Sequence, residues 1–80
     1  MNHYFYLARC ADDSLYSGYC RDLQAREKVH NTGKGAKYTR SRRPVVFAYH
    51  EEFKDRSGAM KREAEVKKWT RARKEELVVH

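Results

Sequence analysis

Three strand-like runs and three helix-like runs in the order β-β-α-β-α-α predict an α+β fold, a small three-stranded antiparallel or mixed sheet flanked by helices. Three observations carry this. Two aromatic-rich runs, HYFYLARC and LYSGYC, flank the turn-forming ADDS. A third β-rich run, VVFAYHEEF, follows the chain's single proline, Pro44. Helix-start residues precede the charged stretches that remain. A hairpin alone encloses no core, and 80 residues suffice for one domain, residues 1–80, so the economical solution packs every helix on one sheet.

The elements follow in turn. HYFYLARC is short enough for one strand, and LYSGYC reads as its return. If the connection is Asp12, Asp13 and Ser14, Tyr6 and Tyr16 share a face; a four-residue connection puts them on opposite faces. Asp22 is placed to cap a helix over LQAREKVH. Residues 31–44, NTGKGAKYTRSRRP, form a Gly-containing basic loop joining two parts of one domain. Asp55 or Ser57 caps a helix running to about residue 69. Thr70 caps a last short helix, RARKEEL.

Lys and Arg number 18 against 11 Asp and Glu, a formal charge of +7 on a chain 40% hydrophobic. A foldable, strongly basic domain points to a polyanionic partner, most simply nucleic acid. No stretch has the ~20 apolar residues of a membrane span, and MNHYFYLARC lacks the pattern of a signal peptide, so no membrane contact and a cytoplasmic location are expected. Cys10 and Cys20, without Cys-x-x-Cys spacing, read as small buried residues rather than zinc ligands or a disulfide scaffold.

Helix geometry singles out three polar side chains. With Leu23 at zero, Val29 falls at about 240°, Arg26 at about 300° and His30 at about 340°, so Leu23 and Val29 are expected to hold the helix against the sheet and Arg26 and His30 lie within the apolar arc. With Ala59 at zero, Val66 falls at about 340° and Glu63 at about 40°, again within the apolar arc. Packing explanations exist: an Arg26 stem over apolar surface, a boundary His30, a Glu63–Lys67 pair at i+4, or a structural Arg–Glu ion pair. Against these stand four tyrosines clustered in the first hairpin: Tyr4, Tyr6, Tyr16 and Tyr19.

With these residues in order, the chain resembles the GIY-YIG nuclease domain over nearly its whole length. YFY (residues 4–6) stands at the first Gly-Ile-Tyr strand and YSG (16–18) at Tyr-Ile-Gly. DLQAREKVH matches L-x-x-R-x-x-x-H, and REAEVKKW matches the Glu-bearing helix. The spacing and NTGKGAKYTRSRRPV are similar to stand-alone bacterial proteins of the UPF0213 type and to the eukaryotic subunit that cuts branched DNA.

The resemblance implies a metal-dependent endonuclease acting on DNA, branched or damaged structures included, with a protein partner as a source of specificity. It implies Tyr6 as general base, Tyr16 positioning the water, Arg26 on the scissile phosphate and His30 at a position of His or Tyr. Glu63 would be the sole protein ligand of one divalent ion, Mg²⁺ or another. These types suit phosphodiester hydrolysis, which needs an activated water and charge stabilisation on the phosphoryl oxygens. Lys34, Lys37, Tyr38, Arg40, Arg42 and Arg43 read as a substrate-holding segment. Two positions depart from the family pattern: Tyr19 stands where many members carry Lys, and the late Asn of several nucleases has no match. The rival reading is a non-catalytic nucleic-acid-binding module.

Overall fold

The computed structural model describes residues 2–79. Strands β1 (His3–Arg9), β2 (Leu15–Cys20) and β3 (Val46–Phe53) form one fully antiparallel sheet in the order β2-β1-β3. Helices α1 (Leu23–Asn31), α2 (Lys37–Arg40), α3 (Arg56–Lys67) and α4 (Arg71–Val79) complete the α+β fold. β1 is the central strand, and its residues Phe5 to Ala8 are all buried, because both sheet faces are covered.

Alternation along the strands divides the core into two layers. Tyr6, Ala8, Cys10 and Cys20 pack with Val45 on one face, with Tyr16, Leu23 and Phe47 around them. Phe5, Leu7 and Leu15 pack with Val66 on the other, under Trp69, Leu77 and Val78. Thus α1 and the α2 segment cover one face and α3 and α4 the other. Cys10 and Cys20 are buried free thiols.

The hairpin connection has three residues, set one position earlier than the sequence suggested. Arg9 pairs with Leu15, and Cys10 N–H donates to Ser14 O at 2.9 Å, leaving Ala11–Asp13 as the loop. Asp12 Oδ1 accepts from Ser14 N and Oγ, and Asp13 takes the left-handed conformation at φ 70° that Asp tolerates. The register moves by two residues relative to a loop over Asp12–Ser14. An even shift preserves the face, so Tyr6 (opposite Gly18) and Tyr16 (opposite Ala8) lie on the same side.

Asp22 caps α1 by accepting from Ala25 N at 3.0 Å, and Asp55, not Ser57, caps α3 by accepting from Gly58 N at 2.7 Å. α3 stops at Lys67, two residues short of Trp69, whose ring is instead flanked by the guanidinium groups of Arg62 and Arg73 at 5.1 and 4.1 Å. Thr70 Oγ1 accepts from Arg73 N, and α4 runs on to Val79, past the expected RARKEEL. Arg9 grips Glu75 with both terminal nitrogens, fastening α4 to the hairpin.

Two expectations need correcting. The basic stretch is not all loop: Lys37–Arg40 forms a turn of helix, and Asn31 clamps its far end by exchanging hydrogen bonds of 2.8 and 2.7 Å with the backbone of Val45. Val29 does not anchor α1; it is 36% exposed, and His30 is the helix's one buried residue among those described. A helical wheel ranks faces by hydrophobicity, but α1 lies along a groove, so one flank of its apolar arc stays uncovered. No helix among the described residues is long and apolar enough to cross a membrane.

Candidate active site

An open groove of about 940 Å³ runs along the β2 edge between α1, the segment leading into α2, and α3. Tyr6, Tyr16, Arg26, His30 and Glu63 all line it, so residues 57 positions apart in sequence, from Tyr6 to Glu63, meet at one surface. Each arrives by a separate local cause.

Tyr6 reaches the groove from the central strand by leaning across β2. The residue opposite it is Gly18, and a Cβ there would stand 2.5 Å from Tyr6 Cζ and 3.0 Å from Cε1. Only glycine lets the phenol ring pass. The ring is 2% exposed, stacked on Phe47 at 4.0 Å between centroids, and its Oη lies 2.8 Å from His30 Nε2. Tyr16 lies diagonally from it at 6.5 Å and edge-on to His30 at 5.6 Å. Its outer face stacks on Tyr38 at 5.8 Å.

His30 is 2% exposed with both ring nitrogens bonded, Nε2 to Tyr6 and Nδ1 to Thr39 Oγ1 at 2.8 Å. Full satisfaction is what allows a histidine to occupy a core position. Burial, reinforced by the positive charge of Arg26, holds His30 below the ordinary imidazole value, so it is neutral at pH 7. Burial also pushes the Tyr6 phenol well above its ordinary value, with Tyr16 adding to the rise and Arg26 opposing it. Tyr16 is raised by burial and by Glu63, against Arg26. Arg26 and Glu63 therefore act on the same two phenols from opposite signs.

Arg26 and Glu63 are held open. Among the described residues neither side chain has a hydrogen bond or ion pair, so the Glu63–Lys67 pair and a structural Arg26–Glu63 bridge are both absent, although Glu63 is partly buried. Ser17 Oγ donates to the Glu63 carbonyl at 3.1 Å, pinning α3 to β2 at this level. Other charged residues of α3 are used internally: Arg62 joins Glu51 and Glu65.

The basic segment divides in two. Lys34 lines the groove, and Lys37, Tyr38 and Arg40 are exposed beside it. Arg42 and Arg43 instead bond back onto the chain at the surface: Arg42 pairs with Asp12 at 2.9 Å, donates to Tyr38 O and covers the Tyr38 ring at 4.0 Å, while Arg43, itself exposed, donates to Arg40 O and Asn31 O. Sequence reasoning missed Thr39, which supports the imidazole, and Arg56, which lines the groove from the start of α3; Gly18 of YSG and Gly35 of the basic segment were noted, but their close packing against the Tyr6 phenol and the His30 imidazole was not. Tyr19 alternates onto the other side of β2 from Tyr16, and Arg56 approaches its hydroxyl at 3.4 Å. Nothing local in the sequence marks Thr39, a threonine among basic residues.

A family model for the GIY-YIG catalytic domain matches residues 2–76. The chain belongs to the GIY-YIG family. Within that family it is 58% identical over 74 residues to a UPF0213 protein of Bacillus pumilus, covering 92% of this chain and 76% of that one. It is 50% identical over 76 residues to the UPF0213 protein SH2523 of Staphylococcus haemolyticus, covering 95% and 93%. The solution structure of the UPF0213 protein BH0048 from Bacillus halodurans superimposes with a TM-score of 0.62 at 47% identity, covering 99% of this chain and 84% of that one. GIY-YIG membership points to the nuclease superfamily and to nucleic acid as the partner class.

Proposed function

We propose that this GIY-YIG chain is a metal-dependent endonuclease that hydrolyses DNA phosphodiester bonds, with branched or damaged DNA as substrate and a protein partner adding specificity. One observation carries the reading: an arginine and a carboxylate, each unpaired among the described residues, open on one groove beside a phenol hydrogen-bonded to a neutral imidazole.

Arg26 receives the scissile phosphate through its forked donors. Glu63 would hold one hydrated Mg²⁺, and that ion would supply charge neutralisation to the phosphoryl group. A lone, partly buried carboxylate suits a hard cation that keeps most of its waters; among the described residues no group of three or more His, Cys, Asp or Glu could hold a metal. Tyr16 orients the attacking water. Tyr6 takes the water's proton while passing its own to His30 Nε2, so the raised phenol never has to persist as phenolate. The water oxygen bonds to phosphorus, the P–O3′ bond breaks, and the 3′ oxygen leaves with the electron pair to be protonated from solvent. His30 Nε2 then returns its proton to Tyr6 Oη, which releases the proton taken from water into the groove. Lys34, Lys37 and Arg40 hold the flanking backbone, without base preference.

The test compares wild type, Glu63→Ala and Arg26→Ala for Mg²⁺-dependent cutting and for binding of single-stranded, duplex and branched DNA. Cutting by wild type alone supports the enzyme. Equal binding by all three with no cutting of any substrate favours the non-catalytic module, and absence of binding at low salt removes both.

A further inference from the structure

Thr39 sits in the basic segment, yet its side chain is wholly buried and faces the imidazole. Its hydroxyl has one proton and two neighbours. Ala36 O, at 2.9 Å, can only accept, so the Thr39 proton is committed there. Oγ1 must then accept from His30, which places the imidazole proton on Nδ1 at 2.8 Å. In a neutral ring that leaves Nε2 bare, facing Tyr6 Oη at 2.8 Å, and the phenol must be the donor. The chain of donors runs in one direction, from Tyr6 to His30 to Thr39 to Ala36 O.

Gly35 closes the same clamp from behind. A Cβ there would lie 2.9 Å from both His30 Cα and Cγ and closer still to Nδ1, so the ring is backed by bare main chain. Thr39 and Gly35 thus fix both which nitrogen is bare and where it points.

We propose that Thr39, backed by Gly35, is a positioning residue that locks His30 in the Nδ1–H tautomer, making its Nε2 a permanent acceptor for the Tyr6 proton. The inference rests on the nuclease reading for its catalytic meaning, but the tautomer itself does not depend on it. Without the Thr39 acceptor the Nδ1–H would be buried unsatisfied, and the ring would move its proton to Nε2. His30 would then donate to Tyr6, and the phenol could no longer pass a proton inward. The segment bearing Lys34, Lys37 and Arg40 also carries Thr39, so the backbone that holds substrate is the one that sets the proton acceptor.

The experiment is ¹⁵N NMR of histidine-labelled protein, with His30→Gln to assign the signal, on wild type, Thr39→Val, Thr39→Ser and Gly35→Ala. Wild type is expected to show a pyridine-like Nε2 and a pyrrole-like Nδ1. Thr39→Val should reverse them, and Thr39→Ser should keep the wild-type pattern. Turnover should fall about 100-fold in Thr39→Val with DNA affinity changed less than about 2-fold, and return in Thr39→Ser. Gly35→Ala, which leaves Thr39 in place, should lower turnover by displacing the ring. A wild-type His30 protonated on Nε2 overturns the proposal whether or not any variant folds, as does an unchanged tautomer in Thr39→Val. If the tautomer reverses as stated but wild type cuts nothing, the clamp stands and the nuclease reading falls.

Discussion

Gly18→Ala is the sharpest probe of how the groove is built. The added Cβ would stand 2.5 Å from Tyr6 Cζ, well inside van der Waals contact, and the ring cannot retreat because Phe47 lies flat against it at 4.0 Å. Overpacking of this kind costs about 1–3 kcal/mol. Moving the ring also breaks the Tyr6–His30 hydrogen bond, 2.8 Å long and buried, a further cost of about 1 kcal/mol. The sum, about 2–4 kcal/mol, is a large share of the roughly 4–12 kcal/mol an 80-residue domain has to lose. Urea unfolding followed by circular dichroism measures it, together with Tyr6→Leu and the double variant, since a leucine does not extend across β2. The double variant should be less destabilised than the two single changes added together. A Gly18→Ala loss below about 0.5 kcal/mol, with no coupling to residue 6, would refute the close approach.

Three further outcomes are expected. DNA affinity should fall steeply as salt rises from about 50 to 200 mM and lose slope in Lys34→Ala, Lys37→Ala and Arg40→Ala, while Arg42→Ala should act on loop order, seen as faster amide exchange over residues 36–43. Below pH ~6.5 the unfolded chain protonates residue 30 while the folded one, facing Tyr6, Tyr16, Phe47, Thr39 and the Arg26 charge, resists. Stability is therefore complete above that pH and declines below it, and His30→Gln should remove this component from the stability-against-pH curve. Glu51, which burial would raise, is held below its ordinary range by Arg62 and the Tyr49 hydroxyl, so its contribution is present above pH ~4.3 and lost in acid; Glu51→Gln should flatten that limb.

Much was legible in the chain because its signals are local. Strand runs, the caps at Asp22 and Asp55, and the periodicity that turned His30 and Glu63 inward depend only on residues a few positions apart, although Arg26, on the same arc as His30, is exposed. The order of elements followed, and with it the family resemblance. What stayed out of reach depends on contacts between segments: a helix wheel gave Val29 the anchoring role because it cannot know which flank of α1 meets the sheet. Nor could basic residues at Arg42 and Arg43 be told from Lys34 and Arg40 without knowing that Asp12 and the Asn31 carbonyl lie within reach.

The amino-acid sequence by itself determined the α+β class, the basic character and the identity of the side chains that can do phosphoryl chemistry. The tertiary structure alone decided that Tyr6 and Tyr16 share a face, through a loop register no propensity specifies. It alone left Arg26 and Glu63 unpaired and set Thr39 behind His30. Side-chain type is written locally, whereas register, pairing and protonation are settled by which groups the packed sheet and helices bring within a few ångströms of one another.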